Sequence, residues 1–124
     1  MNILDFMNEN PGVMPYGFVS PDGDFFHSDF LNHIADAETI CKAYHYDTSE
    51  QDALSLLENL GWVHITACTF LDKGMHIMQV KDFLTEAQKI CLRPLLENPP
   101  MPFTKSTIHF LKYEFPDIFS SKGV

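Results

Sequence analysis

Apolar positions along the chain change their period several times, and each change marks an element. In YGFVSPDGDFFH, residues 16–27, two short apolar runs flank Ser20-Pro21-Asp22-Gly23. Proline presets φ at the second turn position, aspartate suits the third, and glycine accepts the left-handed conformation that follows. This predicts a hairpin closed by a three-residue loop with a glycine bulge. With Ser20 opposite Asp24, the register sets Val19 against Phe25, Phe18 against Phe26 and Gly17 against His27. The missing side chain at Gly17 then leaves room for the His27 ring or a neighbour. Ser28 or Asp29 caps a helix over about residues 30–45. Its buried face reads Phe30, His33, Ala37, Ile40 and Tyr44, widened by Ile34 and Cys41, with Asp36 and Glu38 turned away.

A second helix follows, with Thr48 and Gln51 as a capping box and Ala53, Leu54, Leu56, Leu57 and Leu60 as its buried stripe. Gly61 is placed to end it in the left-handed conformation. WVHITACTF, residues 62–70, reads as a strand; Asp72-Lys73-Gly74 turns it, and MHIMQV, residues 75–80, returns. Both faces of this hairpin are largely apolar, so both are expected to be covered. A second capping box, Thr85 to Gln88, opens a helix with Ala87, Ile90, Cys91 and Leu95 inward, and Pro94 either kinks or stops it. NPPMP is a rigid linker, and STIHFLKYEF, residues 106–115, is a last amphipathic helix ended by Pro116. Ahead of the first hairpin, residues 2–8 suit a short helical turn with Ile3, Leu4 and Phe6 or Met7 inward.

The order ββ-α-α-ββ-α-α predicts a single α+β domain over residues 1–124, with antiparallel β-hairpins packed against three to four helices. Residues 1–15 form an N-terminal arm, 16–96 the core, and 97–124 a Pro-rich linker with a C-terminal helix. The pattern leaves open whether the two hairpins join in one sheet.

Composition narrows the class. A chain of 124 residues can bury a core without disulfides or a structural metal. No apolar run is long enough to span a bilayer. MNILDFMNENPG carries no basic residue before its apolar part, which argues against a secretory signal. Cys41, Cys68 and Cys91 are widely spaced without a CxxC, as expected of buried, reduced thiols in a cytoplasmic protein. The net charge of −9 is uneven: residues 1–60 carry eleven acids against Lys42, and residues 61–124 are close to neutral. Such a chain is ill suited to neutralising phosphates, so no direct nucleic-acid binding is expected. An acidic half suits a basic protein surface instead.

GFVSPDGDFFHSDFLNHIADAETIC, then LGW, LTEAQ and LRP, resembles a family of small uncharacterised proteins of gut Firmicutes and their phages or mobile elements. The resemblance covers about residues 16–96 and rests on Gly17, Pro21, Gly23, His33, Gly61, Trp62, Thr85 and Gln88. It implies a bacterial, intracellular setting and no known activity. Turn, bulge, helix-stop and cap duties explain most of these positions; His33 and Trp62 have no such duty.

Six histidines invite a search for a metal site, yet no two are three or four apart, the spacing that puts both rings on one helical face. His27 and His33 meet only if the hairpin end folds back on the helix start, and a third ligand would then come from Asp29, His45 or the second hairpin. GxSxG, a Cys–His signature and a phosphate loop are all missing from the sequence, so neither a metal nor a cofactor is expected. The favoured reading is a small acidic, non-enzymatic protein that binds another protein, as a regulator or host-directed inhibitor. Its candidate binding residues are His33, His27, Tyr16, Trp62, Asp36, Glu38, Asp47 and Glu50. Two alternatives are a metal-binding or hydrolytic enzyme built on His27 and His33 with His64 or His76, and a structural subunit that forms a homodimer. No membrane partner is expected.

Overall fold

Local turn chemistry sets the first hairpin as the pattern requires. In the computed structural model, which describes residues 2–29, 31–66, 84–99, 102–103 and 105–119, strands β1 (Gly17–Val19) and β2 (Phe25–His27) pair antiparallel. Gly17 lies opposite His27, Phe18 opposite Phe26 and Val19 opposite Phe25. The Gly23 N–H donates to the Ser20 carbonyl and the Ser20 N–H to the Asp24 carbonyl, both at 2.9 Å. Gly23, at φ 88°, is the bulge residue. Gly17 makes room for backbone and not for a ring: a Cβ there would stand 2.1 Å from the Phe26 carbonyl oxygen.

Strand β3 (Val63–Ile65) joins the same sheet, antiparallel to β1, giving the order β2-β1-β3. The expected return strand over 75–80, with His76 and Cys68, lies outside the described residues, as does Phe30. Alternation then sorts the side chains. Val19, Phe25, Val63 and Ile65 face one core, built with α1 (Ile3–Glu9), α4 (Glu86–Glu97) and α5 (Lys105–Glu114). Phe18 faces a second core with α2 (His33–Ala43) and α3 (Ala53–Asn59). The sheet is thus covered on both faces, an α+β domain in three layers. Ile3 and Phe6 from α1, and Leu111 and Phe115 near the C-terminus, belong to the first core.

Several helix details differ from the pattern. Helix α2 starts at His33, because Asp29 closes a turn ahead of it, accepting from the Asn32 N–H at 3.0 Å. Of its expected face, Ala37, Ile40 and Cys41 are buried, while Ile34 and Tyr44 are exposed. Helix α3 is capped by Asp52, which accepts from the Ser55 N–H at 2.7 Å. Thr48 and Gln51 do not form the expected box; Gln51 instead accepts from Asn59 at 2.7 Å. Leu60 is 43% exposed, since the chain leaves the helix there. Both α2 and α3 end in the same double-bonded left-handed cap. Tyr46 bonds back to Cys41 around His45, and Trp62 to Leu57 around Gly61.

Helix α4 has both halves of its capping box, and it continues through Pro94. Its inward stripe is Gln88, Cys91, Leu92, Leu95 and Leu96, so Ile90 is left 73% exposed. The cause is Gln88, a polar residue that takes an inward position because its carboxamide finds carbonyl partners at Val19 and Gly61. Helix α5 ends before Phe115, and Pro116 opens a further short turn, α6 (Pro116–Phe119).

Candidate functional site

The two histidines of HSDFLNH do not converge. His27 ends β2 on the α1 face, its ring stacked on Phe6 at 4.5 Å. His33 opens α2 on the other face of the sheet, 5.6 Å from the ring of His64. His64 in turn lies flat on Phe18, at 4.5 Å and 4°. The stack therefore runs from buried Phe18 and His64 to half-buried His33, and strand alternation produces it by aiming Phe18 and its partner His64 toward α2. His64 is 5% exposed; burial, with a smaller contribution from His33, lowers its pKa to about 4. It is neutral at physiological pH.

A narrow pocket of about 30 Å³ opens beside this pair, between Tyr16, Ser28, Asp29, His33, His64 and Thr66. That volume suits a water molecule and is far below the several hundred cubic ångströms of a typical ligand pocket. Among the described residues no group of three histidine, cysteine or acidic side chains is arranged to hold a metal ion. Cys41 and Cys91 are buried free thiols whose pKa burial pushes up, which keeps them in the unreactive form.

Trp62 is 1% exposed, at the centre of the α2–α3 core, so it is not a surface anchor. Its ring lies 5.6 Å from Phe26 and edge-on to Tyr44 at 5.3 Å. Its indole N–H is buried without a hydrogen-bond partner among the described residues. Tyr44 covers this ring from outside and is 38% exposed. Its pKa is raised by partial burial and then by Asp24, Tyr46 and Asp22, which brings the acidic hairpin turn within electrostatic reach of the α2 C-terminus.

A concavity of about 410 Å³ lies between α2 and α3. Ile34, Cys41, Ala53 and Leu54 supply its apolar lining, and Glu38, Asp52 and Lys42 its charges. Of the acids expected to bind, Glu38 alone lines this groove. Asp47 and Glu50 lie exposed on the connection between the two helices, and Asp36 is half-buried on α2. Asp47 and Asp52 have lowered pKa values because each carboxylate accepts a backbone N–H, from Ser49 and Ser55 respectively. Sequence reasoning missed Asp52 and the open position of Ile34. The signal was available in the spacing Ile34, Glu38, Cys41, Lys42, a mixed stripe beside the buried one.

Two cations of the opposite layer, Lys89 and Arg93, are engaged there. Lys89 pairs with Glu114 at 3.2 Å, and Arg93 with Asp117 at 2.9 Å. In contrast, residues 31–60, which build the α2–α3 layer, contain six acids and Lys42 as their only Lys or Arg. No helix among the described residues is long and apolar enough to cross a membrane. No known family, curated protein or solved structure matches this chain.

Proposed function

We propose that the chain is a non-enzymatic protein that acts by binding a second protein with a basic surface, through its α2–α3 layer. The supporting observation is the scarcity of cations in the α2–α3 segment. Lys89 and Arg93 form ion pairs with acids on their own side of the sheet. The six acids of residues 31–60 share one layer with a single lysine. Such a field speeds encounter with a basic partner and rejects acidic ones. We further propose, from the sequence motifs alone, an origin in a bacterial mobile element, for which a host-directed regulator or inhibitor would be a fitting role.

The experiment is affinity capture from a lysate of the source organism with the tagged protein and with its D36N/E38Q/D47N/E50Q variant. Capture of a basic protein by the wild type, lost in the variant and weakened between about 50 and 300 mM salt, supports the reading. A partner held equally by both proteins overturns it.

A further inference from the structure

We infer that the groove between α2 and α3 seats one short basic segment of the partner, with an aliphatic side chain on Ile34 and Leu54 and a flanking Lys or Arg reaching Glu38 and Asp52. This rests on the reading above and places its contact on a particular site.

Three observations lead there. The groove holds about 410 Å³, within the range of clefts that take a ligand or an anchoring side chain. Ile34, on its rim, is 59% exposed at the start of a helix whose next turn is buried against the sheet. It offers apolar area that an incoming aliphatic group would cover. Around this surface the charge is acidic: Glu38 comes from α2 and Asp52 from the start of α3, so two elements hold carboxylates over one apolar surface. Asp52 is fixed in place by its bond to the Ser55 N–H, which keeps one carboxylate at the groove without a mobile side chain. Apolar contact at the centre with charge at the rim is the arrangement by which grooves recognise an amphipathic segment.

Charge also selects among occupants. A second copy of the chain would bring six more acids of residues 31–60 against the same layer. A nucleic acid would add phosphates to it. A segment bearing Lys or Arg meets neither obstacle. Lys42, the one cation among the described residues that line the groove, makes direction matter, because a lysine or arginine of the partner is repelled from its side.

The probes are three labelled twelve-residue peptides: one with a central leucine flanked by lysines, one with that leucine changed to serine, and one with the lysines changed to glutamates. Binding is read by fluorescence anisotropy at low salt and mapped by amide chemical shifts. The lysine–leucine peptide is expected to shift the amides of Ile34, Cys41 and Leu54 and to bind about fivefold or more tightly than the other two. Ile34→Ser, at an exposed position, and Asp52→Asn, which retains a capping side chain, keep the fold and should each lower that affinity about fivefold. If the peptide binds with its shifts centred on Asp47 and Glu50, the groove is wrong while the acidic-layer reading stands. Binding of none of the peptides overturns both. Equal binding of the serine peptide, or a dimer in sedimentation that Ile34→Ser abolishes, overturns the assigned occupant.

Discussion

The side-chain amide of Gln88 donates to the Gly61 carbonyl at 2.8 Å, joining the first turn of α4 to the end of α3. The same nitrogen lies 3.4 Å from the Val19 carbonyl, and the side-chain oxygen accepts from the Thr85 N–H at 3.0 Å. Gln88 is fully buried, so each of these bonds forms away from water. One residue thus closes a helix cap and ties three elements together.

Replacing Gln88 by leucine should destabilise the fold by about 3 kcal/mol, because buried carbonyls and an N–H lose their partner while little volume changes. Thr85→Ala should cost about 2 kcal/mol, since the Thr85 hydroxyl accepts from Gln88 and donates to the Pro21 carbonyl at 2.7 Å. The two share one box, so the double variant should lose less than the sum. Urea unfolding of the four proteins measures this; strict additivity would contradict the shared role.

How far the sequence is legible follows from the range of each interaction. The turn at Ser20–Gly23 and the strand register were readable because both depend on neighbours and on the period of two. The Thr85 to Gln88 box was readable as a cap for the same reason. Its second role was not, because Val19 and Gly61 are 69 and 27 positions away. The same box pattern at Thr48 and Gln51 misled, because Asp52 and Ser55 offer a competing cap four residues on and the left-handed turn at His45 sets where the chain re-enters. His33 could be marked as a residue without a structural duty, but its neighbour His64 comes from a strand brought over α2 by the sheet. The groove is not legible in the sequence because the helical period assigns Ile34 to the buried face, where apolar residues of an amphipathic helix usually lie.

Acid should weaken the fold through His64. In the native state burial holds this ring neutral down to about pH 4, whereas the unfolded chain takes up its proton near its ordinary value of 6.5. Above that value both states are neutral and stability is unaffected. As pH falls from about 6.5 to 4, proton uptake by the unfolded state removes about 3 kcal/mol. His64→Phe keeps a ring between Phe18 and His33 and cannot titrate. Urea unfolding between pH 7.5 and 4 should therefore show the variant gaining about 3 kcal/mol relative to wild type across this window. A constant difference would mean that His64 charges freely in the native state.

His45 is the described non-glycine residue with positive φ, at 59°, and it occupies the left-handed position that ends α2. Its side chain is exposed, so nothing is gained there to offset a backbone conformation that costs an L-residue about 1–2 kcal/mol. His45→Gly removes that strain but frees the unfolded chain, and the net gain should be about 0.5–1 kcal/mol. His45→Val should lose more than 1 kcal/mol, because a β-branched residue tolerates this region least. Urea midpoints rank the three; a less stable glycine variant would show that the histidine ring contributes a contact of its own.

Gly23 is constrained twice, by its φ of 88° and by the approach of α4. A Cβ at this position would lie 2.7 Å from the Ala87 carbonyl oxygen and 3.1 Å from the Ala87 Cβ. Gly12 has nearly the same φ, 86°, with nothing within 4 Å of its added Cβ. Gly12→Ala therefore reports the backbone strain alone, about 1 kcal/mol, and Gly23→Ala that strain plus a collision, for a loss of about 2–3 kcal/mol. The shorter contact is with backbone, so trimming Ala87 cannot relieve it. Gly23→Ala combined with Ala87→Gly should stay at least as unstable as Gly23→Ala, and about 1 kcal/mol worse if the helical glycine acts independently. Recovery of stability in that double variant would instead place the clash at the Ala87 methyl and free the hairpin turn from the helix backbone.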